Sequence, residues 1–229
     1  LDADGDGLLE IMAVDALRVR LFEAPSARAF PSRLAWEQRD VWGGEVADLD
    51  GDGLLELLLR SAKGSYFQVF ESVADDAYEE TAVLNYVSEG SNELGRRQVA
   101  TDLDGDGRGD LLGGDDDGDL FVFEAVADNR YRQVWQLEGE GDARLVGGGA
   151  DLDGDGAIEF VVARFFGDSY DLNARRWQVE VYSATGRNEY ALEWQAEILA
   201  GQVGGSGLSY GDLDGDGSLE WALVTVPHI

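Results

Sequence analysis

The chain has no cysteine, one histidine, one lysine and only three prolines among its 229 residues. Without cysteine there is no disulfide framework, no thiolate nucleophile and no thiolate metal site. The lone histidine, His228, cannot form a His-x-x-x-His zinc pair and reads as a bystander near the end of the chain. No run of 18 apolar residues occurs, so hydropathy marks no membrane-spanning helix. Positive charge is scarce as well: 17 basic residues face 47 acidic ones, a net charge of −30. A surface of that sign repels phosphate backbones and anionic lipid, which argues against nucleic acid and membrane as partners. There is no Gly-x-Ser-x-Gly, no phosphate loop and no Gly-x-Gly-x-x-Gly after a strand, so no catalytic residues are assigned. Asn-x-Ser/Thr sequons are also missing.

The chain does contain one acidic nine-residue loop five times over. Its carboxylates stand at positions 1, 3, 5 and 9: Asp2, Asp4, Asp6 and Glu10; Asp48, Asp50, Asp52 and Glu56; Asp102, Asp104, Asp106 and Asp110; Asp151, Asp153, Asp155 and Glu159; Asp212, Asp214, Asp216 and Glu220. Glycine at positions 4 and 6 lets the backbone curl around a point. Hard oxygen donors on a tight turn are what Ca2+ requires, so these twenty residues are the expected ligands of about five calcium ions. An EF-hand would close with a bidentate Glu at position 12, but Ala13, Leu59, Gly113, Val162 and Leu223 stand there. Short apolar runs such as Leu57 to Leu59 and Phe160 to Val162 follow the loops and read as buried strands rather than helices.

The loops recur at spacings of 46, 54, 49 and 61 residues, in the range of propeller blades. Other parts recur with them. A second strand ends Leu21-Phe22-Glu23-Ala24, Val69-Phe70-Glu71-Ser72, Val122-Phe123-Glu124-Ala125 and Val181-Tyr182-Ser183-Ala184, and a third strand-like run follows Tyr78, Tyr131 and Tyr190. Small residues such as Gly147 to Ala150 and Gly204 to Gly207 lead into the next loop. This predicts an all-β protein, a β-propeller of four-stranded antiparallel blades spanning residues 1–229 as one domain. A parallel β-helix is set aside, because its calcium-binding versions repeat at nine residues. Leu1 directly precedes the first loop and Ile229 follows the second strand of the last unit. The first and last blades are therefore expected to be incomplete parts of a larger ring, or open edges that another molecule pairs with.

Five copies of Asp-x-Asp-Gly-Asp-Gly-x-x-Glu/Asp resemble the bacterial calcium-loop propellers called FG-GAP or VCBS repeats, whose architecture is shared with the integrin alpha-subunit propeller. The Phe-Gly and Gly-Ala-Pro signatures are nearly absent, with one Phe166-Gly167 out of place, so the match is to the looser VCBS type and integrin activity does not carry over. The resemblance implies a propeller fold with one calcium ion per loop. Five bound ions would still leave a net charge of about −20. Loops of this kind fill at millimolar calcium, which points to an extracellular or cell-surface location in bacteria. The expected role is a non-catalytic binding, adhesion or structural module with a protein or carbohydrate ligand and some capacity for self-association through blade edges. The competing readings are the propeller of a polysaccharide lyase, using Tyr170, Arg175 and Arg176, and a subunit of an extracellular fibre.

Three further features stand out. Arg108-Gly109-Asp110 spells an integrin-binding tripeptide, yet Asp110 is also loop position 9 and should face the ion. Asp115-Asp116-Asp117-Gly118-Asp119 reads as a solvated hairpin turn, with a second cation site as the alternative. The 61-residue unit carries an insertion, Arg164 to Arg176, expected to form a loop and the most individual recognition surface of the chain.

Overall fold

The computed structural model describes residues 2–15, 17–90, 93–95, 97–167, 175–199 and 207–225. Seventeen β-strands make up the described secondary structure, and no helix is present among these residues. The strands pair antiparallel in five sheets. One sheet has three strands, β1 (Glu10–Asp15), β2 (Arg18–Glu23) and β3 (Arg33–Arg39). Three sheets have four: β4 (Val41–Ala47) to β7 (Ala77–Asn85), β8 (Val99–Thr101) to β11 (Arg130–Leu137), and β12 (Asp142–Ala150) to β15 (Glu189–Ile198). The last pairs β16 (Gly207–Gly211) with β17 (Glu220–Val224).

Each four-stranded sheet runs in chain order, as expected when successive strands are joined by hairpins. In each of these four-stranded sheets the acidic loop lies between the first and second strands, whereas in the three-stranded sheet it precedes β1. The strand it feeds is apolar and buried along its length: β5 (Glu56–Ser61) and β13 (Glu159–Phe166) carry Leu57 to Leu59 and Phe160 to Ala163 at zero exposure. The fourth strand is half exposed and amphipathic, as in Ala77–Asn85, so it forms the outer edge. The first strand must approach its neighbour closely. At Gly44 of β4 a side-chain Cβ would fall 1.8 Å from the Leu58 carbonyl oxygen, next to a break in register between Val41 and Gly44.

Two compact units can be distinguished: residues 1–87 with 125–132, and residues 88–124 with 133–229. In the first, Leu21, Val41, Leu57, Leu59 and Phe70 form the core, and Trp36 packs at 5.3 Å against both Phe70 and Tyr78. In the second, Leu112, Val122, Val146, Phe160 and Val162 pack together, with Phe160 stacked on Tyr182 and Trp135 edge-to-face with Tyr190. These cores hold the strand ends that carry the acidic loops.

Two surface features expected from the sequence are arranged differently. Arg164 to Phe166 belong to β13 and Arg176 begins β14 (Arg176–Gly186), so the hairpin strands absorb both ends of the insertion. Arg164 is buried and bonds Glu180 at 2.7 Å, and Phe165 packs on Trp177. Arg176 lies over the Phe166 ring and pairs with Glu197 at 3.2 Å. Residues 168–174, including Tyr170, lie outside the described residues, as do His228 and both chain ends. The turn from Asp115 to Asp119 is also not solvated. Asp115 and Asp119 are buried, because Asp115 accepts hydrogen bonds from the Gly118 and Asp119 amides and Leu94 bridges to Asp115.

Candidate metal centre

All five loops share one hydrogen-bond scheme. The position 1 Asp accepts from both loop glycine amides, at 2.6–3.1 Å. The position 5 Asp accepts from the amide two residues on, at 2.7–3.0 Å. The position 9 acid reaches back to the amide of position 2 at 2.5–3.0 Å, which ties the base of the following strand to the start of the loop. The glycines hold φ between 74° and 95°. Open space surrounds their missing Cβ atoms, so backbone conformation and not crowding demands glycine.

This scheme orients carboxylates that can only accept hydrogen bonds and leaves part of their capacity unused. Oxygens of Asp48, Asp50, Asp52 and Glu56 lie within 4.8 Å of one another, as do those of Asp2, Asp4 and Glu10. Calcium bonds of about 2.3–2.6 Å place opposite ligand oxygens about 5 Å apart, so the clusters have a fitting size. The donor set is all oxygen, as the ion prefers. Glu56 and Asp110 are buried, and each keeps one carboxylate oxygen without a hydrogen-bond partner. A buried oxygen of that kind is costly unless something electropositive meets it. These residues therefore fit a calcium ion.

Electrostatics agree. Burial, with the neighbouring loop acids adding to it, pushes Glu56 and Asp110 up to about 8, against an opposing hydrogen bond from the backbone. Glu10 and Glu159 are raised for the same first reason. The consequence for stability is definite in sign. Between the ordinary value of 4.5 for Glu56 and its folded value of about 8, the metal-free folded chain holds a proton that the unfolded chain has lost. Metal-free stability is therefore expected to fall as pH rises through that window. Calcium must displace those protons, so binding at pH 6 should release protons and binding above about pH 9 should release almost none. Calorimetric titration in buffers of different ionisation heat measures the yield.

Each of the first three loops also receives a hairpin turn from farther along the chain. The amides of Asp76, Asn129 and Asn188 donate to the position 3 carboxylates of Asp4, Asp50 and Asp104, at 2.9, 2.6 and 2.6 Å. All three sit at φ between 53° and 59°, where Asn and Asp are tolerated and which tight hairpins require. Two residues later Tyr78, Tyr131 and Tyr190 follow, each with a buried hydroxyl lacking a hydrogen-bond partner. Burial raises all three phenols, and the loop acids raise them further. The rings of Tyr78 and Tyr190 pack on tryptophans of the core. A tyrosine thus anchors its apolar body in the core while its polar end reaches the loop.

The strand acids belong here as well. Glu23, Glu71 and Glu124 stand cross-strand from Glu10, Glu56 and Asp110, while Ser183 takes that place opposite Glu159 and donates to it at 3.1 Å. Their recurring Phe-Glu and Tyr-Ser endings were the available signal in the sequence. Asp110 of the Arg-Gly-Asp tripeptide is only 1% exposed and accepts from the Leu103 amide, so it faces into its loop.

Residues 151–223, which include the fourth and fifth loops, match the FG-GAP-like repeat family. This segment is similar to an FG-GAP-like repeat. The FG-GAP-like assignment agrees with the resemblance carried by the loop sequences. No curated protein matches the chain. Among solved structures it is similar to the crystal structure of BBS1N in complex with ARL6DN, soaked with lead. The identity is 12% over 98% of this chain and 74% of that chain, with a TM-score of 0.46.

Proposed function

We propose that the chain is a calcium-stabilised β-propeller, or part of a larger one, serving as a non-catalytic binding, adhesion or structural module of a secreted or cell-surface bacterial protein. The observation that carries this reading is the fivefold repetition of one carboxylate cradle, with buried position 9 oxygens that lack a protein donor in Glu56 and Asp110. An ion bound entirely by such loops has a structural role: it cancels carboxylate repulsion and fixes the turn that starts the buried strand. Four-stranded antiparallel sheets in chain order support a bladed ring. Calcium at extracellular concentrations favours occupancy of loops of modest affinity, which supports the proposed location. The partner is a protein or a carbohydrate, bound away from the metal.

Substitutions separate ligands from other buried or surface acids. Asp104→Ala and Asp153→Ala are each expected to lose one calcium equivalent. Asp116→Ala is expected to keep the full number, because its carboxylate accepts from the Glu93 amide and belongs to no loop. Its effect on stability should stay within about 0.5 kcal/mol. Calorimetric titration with calcium provides the count. Equal loss from all three variants would contradict the loop assignment.

A further inference from the structure

Three elements meet beside each of the first three loops: a loop carboxylate, a Glu on the second strand after the loop, and the first residue of the incoming hairpin turn. In the first repeat, oxygens of Asp6, Glu23 and Asp75 lie within 4.8 Å of one another. In the second, those of Asp50, Glu71 and Asp128 do the same. The loop carboxylate is position 5 in the first repeat and position 3 in the second, and the third repeat differs from both at the residue before the cap. Arg187 stands where the others have Asp75 and Asp128, immediately before the turn residue that caps the loop. Its guanidinium bonds Asp106 at 3.0 Å through Nε and Glu124 at 3.2 Å through Nη2.

The third repeat therefore carries a built-in cation between loop and strand, at a place where the first two repeats add a third carboxylate. Only Glu23 and Glu71 of these acids are buried, but setting an anion beside a buried carboxylate, where the third repeat has a cation, is unfavourable unless a cation offsets it. One acid records that need directly. The Glu23 side chain is 1% exposed, and its Oε1 has no hydrogen-bond partner. Arg33 satisfies only the other oxygen and Asp76. In the second repeat the Asn129 amide group meets Glu71, but amide donors carry no net charge to offset Asp50 and Asp128.

We propose that the first and second repeats each hold a second divalent cation of the hard, oxygen-seeking class, bounded by Asp6, Glu23 and Asp75 and by Asp50, Glu71 and Asp128. The third repeat fills the same position with the Arg187 guanidinium. The inference builds on the calcium reading of the loops, since Asp6 and Asp50 would each offer one oxygen to either ion. The repeats thus neutralise one acidic junction in two ways: an exchangeable ion in the first two and a fixed arginine in the third. Arginine suits the second role because its charge is permanent and its planar fork spans two carboxylates.

The test exchanges the two solutions in the full chain. Bound calcium is counted by equilibrium dialysis at saturating free calcium for wild type, Asp75→Arg, Asp128→Arg, Arg187→Asp and Asp102→Ala, the last reporting on a loop alone. Circular dichroism establishes folding. Asp75→Arg and Asp128→Arg are each expected to lose one equivalent, and Arg187→Asp to gain one. Should an arginine variant fail to fold, Asp75→Asn or Asp128→Asn supplies the same loss and the Arg187→Asp gain stands by itself. If the three exchanges leave the count unchanged while Asp102→Ala loses one equivalent, the second position is refuted and the loop reading survives. A wild type that binds no calcium overturns both.

Discussion

Chelation of calcium is expected to lower the melting temperature by roughly 15–25 °C. At free calcium about tenfold above each dissociation constant, linkage contributes about 1.4 kcal/mol per site, and five independent sites contribute about 7 kcal/mol. That is comparable with the whole stability of many domains. A chain of this size shifts by about 2–4 °C per kcal/mol. Removal also leaves the oxygens of Asp48, Asp50, Asp52 and Glu56 within 4.8 Å of one another with no ion between them. Scanning calorimetry with calcium and with chelator measures the shift. It should shrink as pH falls below about 8, because protons then replace the ion on Glu56 and Asp110. An unchanged melting temperature would remove the metal from the account.

The second large effect is expected from Arg164→Ala. Arg164 is 3% exposed, and its Nε donates to Glu180 at 2.7 Å, while a second guanidinium nitrogen bonds the Gly118 carbonyl. Truncation leaves the Glu180 carboxylate buried with only the Tyr182 hydroxyl and the Gln178 amide as donors. Breaking a buried pair from one side costs about 3–5 kcal/mol, chiefly from the charge left behind. The exposed pair of Arg176 and Glu197 gives the contrast. Both side chains are well exposed, at 38% and 58%, and Arg176→Ala should cost less than about 1 kcal/mol. Denaturant titration of the two variants resolves the difference, and equal costs would show that the Arg164 pair is not structurally special.

Loop residues such as Asp48, Gly51 and Glu56 were legible in the sequence because their relation is local: nine residues contain the carboxylates, the glycines and the hydrogen bonds among them. The buried strands were legible too, since Leu57 to Leu59 and Phe160 to Val162 form apolar runs bounded by turns. What escaped was everything that reaches a loop from far along the chain. Asp76, Asn129 and Asn188 lie 72, 79 and 84 residues from the carboxylates they cap, and no periodicity within one unit announces such a contact. The same holds for Arg164. Its position at the start of an apparent insertion marked it as a surface residue, and only the pairing of β13 with β14 places it beside Glu180. Asp115 was misplaced for a related reason. A run of acids reads as solvated, but capping of the Gly118 and Asp119 amides and the bridge from Leu94 draw it inside.

The most direct test of the loops as calcium centres is anomalous diffraction from crystals grown in millimolar calcium. The account predicts a peak at the centre of the loops at 48–56, 102–110 and 151–159, with carboxylate oxygens of positions 1, 3, 5 and 9 at about 2.3–2.6 Å. Loops without an anomalous peak at that concentration, holding only water among their carboxylates, would contradict it.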